Sequence, residues 1–265
     1  VTRLSNFCVP NTLALSARAR FFARYHSVSE LLAWLAWAQK RQVPVLAIGA
    51  GSNVLAPAEV PALVLQSAMQ QHYLLHSDKQ HVWVVAEAGL NWHDWVLSST
   101  EYGHGLENLA LIPGSVGAAP IQNIGAYGVE LAACLAWVEG IRLSCQQLTR
   151  WDNPACRFGY RDSVFKRELR GDLVITRVCF RLSRTFAPQL SYGPLAQWSA
   201  GRAVNSAELI DEVCRIRQSK LPDPGQLANA GSFFKNPVVR GFQAAALVQA
   251  TPAPPHAPAF GWPNQ

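Results

Sequence analysis

Three groups of residues in this sequence have types and spacings that chemistry uses. The first is Gly49-Ala50-Gly51-Ser52-Asn53, directly after the apolar run 45–48. Glycines at the mouth of a strand let backbone amides come close to a pyrophosphate, because no Cβ stands in the way. A dinucleotide fingerprint of the form Gly-x-Gly-x-x-Gly fails, since Val54 stands at the third glycine and Pro57 interrupts the next segment. Gly-x-Gly alone also fits a tight structural turn. The second group runs from residue 106 to 128 and mixes Leu, Ile and Val with Pro113, Gly114, Gly117, Gln122, Asn123, Gly125 and Ala126. That mixture suits a lining that wraps a large heteroaromatic cofactor and bonds to its edges; an apolar core segment with turns is the alternative. The third group is scattered: Tyr160-Arg161 within 156–163, Tyr192-Gly193, Lys220, and 230–237 with Ser232 and Asn236. An Arg beside Tyr in a glycine turn stabilises a developing oxyanion, and a Ser in a glycine turn donates a proton to carbon. Spacing leaves open a salt bridge from Arg161 to Asp162 or Glu168, and a plain loop hydroxyl for Ser232.

The elements around these groups read as follows. Residues 21–25 form a short apolar segment, and Ser27-Val28-Ser29-Glu30 has capping-box spacing, with Ser27 accepting the third helical amide while Glu30 reaches back. The helix runs to about Arg41 with Leu31, Leu32, Leu35 and Ala38 on its apolar face, and 45–48 is a buried strand. Strand, helix, strand predicts a parallel pairing with a right-handed crossover. Further strands are expected at 62–66, 82–86, 137–143 and 173–182, and helices over 92–100, capped by Asn91, and over 208–220 with Leu209, Val213 and Ile216 inward. Six of the 18 glycines fall within 103–128, so that stretch is loop with functional turns. Residues 251–265 hold five of the 17 prolines and no charged residue, the composition of an unstructured tail.

At 265 residues, with 49% hydrophobic and 15% charged residues, the chain is globular with two or more packed units as the default, and a disordered chain or a coiled coil is excluded. No apolar stretch approaches the ~18 residues of a membrane span, and no signal peptide is visible, so a soluble, cytoplasmic protein without membrane partners is expected. Twenty-three Lys and Arg against 17 Asp and Glu favour anionic partners. The densest basic run, 157–170, mixes its cations with Asp162 and Glu168, unlike the clustered charge a nucleic-acid site wants, so a phosphorylated small molecule fits as well and no nucleic-acid partner is expected. Six well-separated cysteines form no Cys-x-x-Cys pair, so buried free thiols and no metal are expected.

These segments, in this order, resemble the UDP-N-acetylenolpyruvoylglucosamine reductase family, flavoenzymes that make UDP-N-acetylmuramate for peptidoglycan. The likeness runs from about Asn11-Thr12 to about Trp262. It implies an α+β fold of the reductase and vanillyl-alcohol-oxidase type, with FAD-binding subdomains at 1–73 and 74–221 and an incomplete substrate-binding α+β subdomain at 222–265. The resemblance puts the FAD pyrophosphate on Gly49, Gly51, Ser52 and Asn53, and the isoalloxazine and ribityl chain along Pro113, Gly114, Gly117, Gln122, Asn123, Gly125 and Ala126. It implies Arg161 at the enolpyruvyl group, Ser232 as proton donor helped by Lys235 or Lys220, and Tyr160, Tyr192, Lys220 and Asn236 on a UDP-sugar substrate. NADPH as hydride donor, a monomer and a cytoplasmic location follow from the same likeness. The family's catalytic Glu has no counterpart before Gln265, and Ala228 stands where Gly is usual, so either a truncated copy or part of a longer reductase chain is expected. The alternative function is an FAD- or UDP-sugar-binding remnant, which turnover alone distinguishes. An oxidase with covalently attached flavin would carry a His or Cys near the glycine turn, and 45–60 has neither.

Overall fold

The computed structural model describes residues 4–237 and 239–243. The first sheet is built from β1 (Leu4–Cys8), β2 (Arg18–Tyr25), β3 (Val45–Ile48) and β4 (Glu59–Ser67), with α1 (Val28–Lys40) between β2 and β3. Its order is β1-β2-β4-β3; β1 is antiparallel to β2, while β2 and β3 both run parallel to β4. The expected parallel pairing of β2 with β3 is corrected here, because β4 lies between them. The cause is burial: Val60 and the consecutive Ala62, Leu63, Val64 and Leu65 are all buried, and a run without alternation needs cover on both faces. On one side Leu31, Trp34, Leu35 and Ala38 of α1 pack on Ala23, Tyr25, Leu63 and Leu65, and on the other Val60, Ala62 and Val64 meet Val9, Ala17 and Phe22. The start of α1 departs from a regular capping box. Ser27 Oγ accepts from Glu30 N at 3.1 Å as expected, but the Glu30 carboxylate accepts from His26 N at 2.8 Å, one residue further back.

The second sheet contains β5 (His72–Ser77), β6 (His81–Glu87), β9 (Leu135–Arg142), β10 (Leu148–Asp152) and β11 (Leu173–Ser183) in the order β10-β9-β11-β6-β5, all antiparallel. Helix α2 (Trp92–Ser99) follows β6; Asn91 caps it by accepting from His93 N and Asp94 N. The glycine-rich stretch is loop with 3-10 turns at Glu107–Leu109 and Ala119–Gln122, leading to the small hairpin β7 (Gly125–Ala126) and β8 (Val129–Glu130). Helices α3 (Gly193–Ser199) and α4 (Ser206–Lys220) complete the described elements; Asn205 and Glu208 form a full capping box at α4. The main core gathers Trp92, Trp95, Phe180, Leu106, Leu109 and the inner face of α4. Ile141 and Val174 of the second sheet enter the core under α1, so the two sheets share packing.

The cysteines correct one expectation. Cys134, Cys156 and Cys179 are buried, and burial pushes their thiols up to about 11, 12 and 12, but Cys8 and Cys145 are exposed. Among the described residues no His, Cys, Asp and Glu group forms a metal-binding cluster, and no helix is long and apolar enough to cross a membrane. The proline-rich stretch 251–265 lies outside the described residues.

Candidate active site

Strand β3 runs into the turn at 49–53, and the neighbouring β4 steadies it through Gln66 Nε2, which donates to Gly49 O at 2.8 Å. The turn is stitched to the second sequence group. Ser52 Oγ donates to Pro113 O at 2.9 Å, and Asn53 Nδ2 donates to Gln122 Oε1 at 3.2 Å. Two glycines here are required by their protein neighbours. Gly51 has φ +69, and a Cβ there would run into the Pro10 carbonyl; a Cβ at Gly49 would lie 2.7 Å from Ser115 Oγ. Between the two sheets lies a cleft of about 710 Å³, in the size range of small-molecule sites. Its lining combines apolar Val45, Leu46 and Ile48 with the turn 49–53, the 112–115 and 117–119 segments, Gln122, Gly125, Arg161, Arg217 and Ser232.

Arg161 sits in a tight turn in which Gly159 and Asp162 exchange both backbone hydrogen bonds, at 3.0 and 3.1 Å, and it takes φ 52 to do so. Its guanidinium donates to Gly125 O and, at 3.4 Å, to Asn123 O, with Glu130 Oε1 at 4.0 Å. Neither Asp162 nor Glu168 is its partner. Asp162 pairs with Arg167 at 2.6 Å and Glu168 with Arg157 at 2.9 Å. A Cβ at Gly125 would stand 2.7 Å from Arg161 Nη1, so the glycine admits the guanidinium. Lys166 Nζ donates to Arg161 O at 3.1 Å. Ser232 is exposed at the cleft on a turn organised by Asn229, which donates to Pro222 O and Leu227 O and accepts from Gly231 N. Asn229 N donates to Thr12 O at 2.9 Å, and Thr12 N donates to Gly51 O at 3.2 Å. The serine turn therefore rests on the segment that backs the glycine turn.

The remaining residues singled out in the sequence lie around the cleft or behind it. Asn123 is 1% exposed and its amide is consumed internally; Ala126 belongs to β7. The Tyr160 ring lies beside Arg161 and Lys235, whose Nζ is 5.5 Å from its centroid. Tyr192 precedes α3 and meets Tyr127 edge-on at 5.4 Å. Lys220 ends α4, and Asn236 is exposed. Sequence reasoning missed Arg217. It follows Val213 by four residues and so continues the inward stripe of α4. Its Nε donates to Leu111 O at 3.1 Å, and its side chain bonds Tyr127. Burial lowers the Arg217 guanidinium from its ordinary value, with Tyr127 opposing, and burial raises the Tyr127 phenol. A charged residue on an otherwise apolar helical stripe was the available signal.

Residues 19–145 match the model of a family described as an FAD binding domain. The chain is 46% identical over 259 residues to UDP-N-acetylenolpyruvoylglucosamine reductase of Chromobacterium violaceum, covering 94% of this chain and 74% of that protein. The reductase of Pseudomonas aeruginosa PAO1 is 46% identical over 246 residues, covering 91% and 72%. Among solved structures, the UDP-N-acetylenolpyruvylglucosamine reductase of Thermus caldophilus superposes with a TM-score of 0.62 at 25% identity, over 86% of this chain and 71% of that one. Cholesterol oxidase of B. sterolicum shares the fold, with a TM-score of 0.53 at 12% identity, over 70% of this chain and 38% of that one.

Proposed function

The chain belongs to the UDP-N-acetylenolpyruvoylglucosamine reductase family of FAD-dependent oxidoreductases, and from that membership we propose that it reduces the enolpyruvyl group of a UDP-sugar with electrons from NADPH. The observation that carries the reading is the single cleft that gathers the 49–53 turn, the 112–125 lining, Arg161, Arg217 and Ser232. Its make-up fits FAD. An apolar floor suits the ring system, amides of the glycine turn suit the pyrophosphate, and the guanidinium groups supply positive charge. Gly49, Gly51, Ser52 and Asn53 would hold the pyrophosphate, with Pro113, Gly114, Gly117, Gln122 and Gly125 along the ring and ribityl chain. Residues 1–73 and 74–221 would form the FAD portion, and 222 onward the start of the substrate side.

When bound, FAD supplies the two-electron relay between NADPH and the enolpyruvyl double bond. Arg161 meets the enolate charge that grows on the carboxylate side as hydride reaches the methylene carbon. Ser232 gives a proton to the neighbouring carbon, leaving a saturated lactyl ether and a serine oxyanion that a nearby cation stabilises until solvent reprotonates it. Arg217 and Arg161 share the cleft with Ser232, whereas Lys235 lies over Tyr160. Tyr160, Tyr192, Lys220 and Asn236 would bind the UDP-sugar outside the flavin lining.

An absorption spectrum of the purified protein, followed by stopped-flow mixing first with NADPH and then with the enolpyruvyl substrate, tests the proposal. Flavin bands that bleach and then return are expected. Asn53→Asp should lose the flavin, because it sets a carboxylate at the pyrophosphate while Gln122 can turn its amide to keep the bond. A colourless protein that takes up no FAD, or a reduced flavin that the substrate never reoxidises, overturns it.

A further inference from the structure

We propose that Asn123 is a positioning residue for Arg161: its buried amide ties the loop that supplies the acceptors of the guanidinium to the turn that carries it. The inference rests on the reading of Arg161 as the group that meets the enolate charge. Arg161 and its acceptors come from separate parts of the chain, the Gly159–Asp162 turn and the loop from Asn123 to Glu130. Asn123 Nδ2 donates to Gly159 O at 3.0 Å, the first residue of the Arg161 turn, and to Glu130 Oε2 at 2.9 Å. Its Oδ1 accepts from Ala132 N at 3.0 Å. Both donor hydrogens of the Asn123 amide are used, and its oxygen holds Ala132 N with one of two lone pairs. Asn123 takes φ 43, a left-handed conformation that asparagine tolerates, and this turns its own carbonyl to Arg161 Nη1. Glu130, fixed by that amide through one oxygen, faces Arg161 with the other. Ser163 Oγ adds a second tie between the same segments, donating to Ile121 O at 2.6 Å. The guanidinium side chain is 29% exposed, and this web of bonds directs it at the cleft.

The test is a double-mutant cycle in the FAD-loaded protein, reading the ratio of flavin reoxidation by UDP-N-acetylglucosamine enolpyruvate to flavin reduction by NADPH, with flavin absorbance per protein measured on the same samples. Asn123→Asp preserves size and left-handed tolerance but removes both donors and faces Glu130 with a like charge. It should lower the ratio by about thirtyfold, and Glu130→Gln, which keeps an acceptor for Asn123, by about fivefold with flavin content retained. Neither change should lower the ratio further when Arg161 is already Ala, because a residue acting through Arg161 has nothing left to act on. Losses that multiply on the Arg161→Ala background, or a parental ratio in Glu130→Gln, overturn the proposal. If Asn123→Asp fails to hold flavin, the Glu130→Gln cycle decides. A normal ratio in Arg161→Ala itself removes the reading of Arg161, and a slow Arg161→Ala beside a normal Asn123→Asp removes the positioning role alone.

Discussion

Three guanidinium groups line the cleft, and two of them, Arg161 and Arg217, are held in different ways beside the exposed Arg170. Arg161 hangs from backbone carbonyls, while Arg217, likewise half-buried, is bonded to Leu111 O and Tyr127. The first geometry leaves donors free for an incoming carboxylate. Arg161→Ala and Arg161→Lys should therefore each slow flavin reoxidation by about 100-fold, the scale for losing one preorganised charge-stabilising group. Lysine lacks the planar fork. Reduction by NADPH should change little, and equal losses in the two half-reactions would assign Arg161 to the fold or the flavin. The second geometry fixes a positive charge before any ligand arrives. Arg217→Met, similar in length but uncharged, should weaken FAD binding by at least about tenfold in a fluorescence titration, as expected for one charge-assisted contact. The sequence made one of these residues more visible than the other. Arg161 stands in a run of glycine, tyrosine and serine whose composition signals a turn, whereas Arg217 shows only as a charge four residues after Val213 on the inward stripe of α4, a weaker signal. Even for Arg161 the partners were out of reach, because its nearest charges along the chain, Asp162 and Glu168, are taken by Arg167 and Arg157.

Elements with a side-chain signal at their ends were legible. Ser27 marks the start of α1 and Asn91 that of α2, each bonding an otherwise unpaired amide. Helix α4 was placed from its apolar face alone, so the expected start at 208 lies two residues inside the true start at Ser206 and overlooks Asn205. Asn205→Ala should cost about 1 kcal/mol in urea unfolding, the usual value of such a cap. Strand β5 left no trace, since nearly all its positions are exposed and it shows no alternation, and edge strand β10 has only half-buried contacts. The β9–β11 junction depends on one carboxylate. Asp172 accepts from Arg142 Nε at 2.7 Å and from Ser144 N at 2.6 Å. Burial works to raise its carboxyl, but these bonds outweigh it and hold the group below its ordinary value. A folded pKa under the unfolded one gives stability that is present at neutral pH and lost as pH falls through the folded value. Asp172→Asn should thus destabilise by about 1 kcal/mol at pH 7 after allowance for solvent screening, and the gap to the parent in thermal melts should close below about pH 4.

At the scale of the molecule the two sheets meet twice, in the core under α1 and across the cleft. That the fold is α+β with a cofactor portion was legible from the order of the motifs; that Ile141 and Val174 join the core of the first sheet was not, since nothing local distinguishes them from other strand residues. A ligand lying across the cleft should fasten the sheets together. At FAD 100 times its Kd, linkage gives about 2.7 kcal/mol, or about 5–10 °C in Tm at roughly 2–4 °C per kcal/mol for a chain of this size. A melt unmoved by FAD would mean that the cleft takes no such ligand. The strand order carries a consequence for biosynthesis. β11 is the last strand of its sheet to be made, yet it lies in the middle and pairs on one side with β9 and on the other with β6. At roughly 5–20 residues per second, β6 waits about 5–20 s with an open edge for a partner some 90 residues downstream, beside a second hairpin in the same condition. Until that strand leaves the ribosome the nascent chain presents two adhesive ribbons, so a lesion in β11 should be seen first as loss of soluble yield, before any loss of turnover.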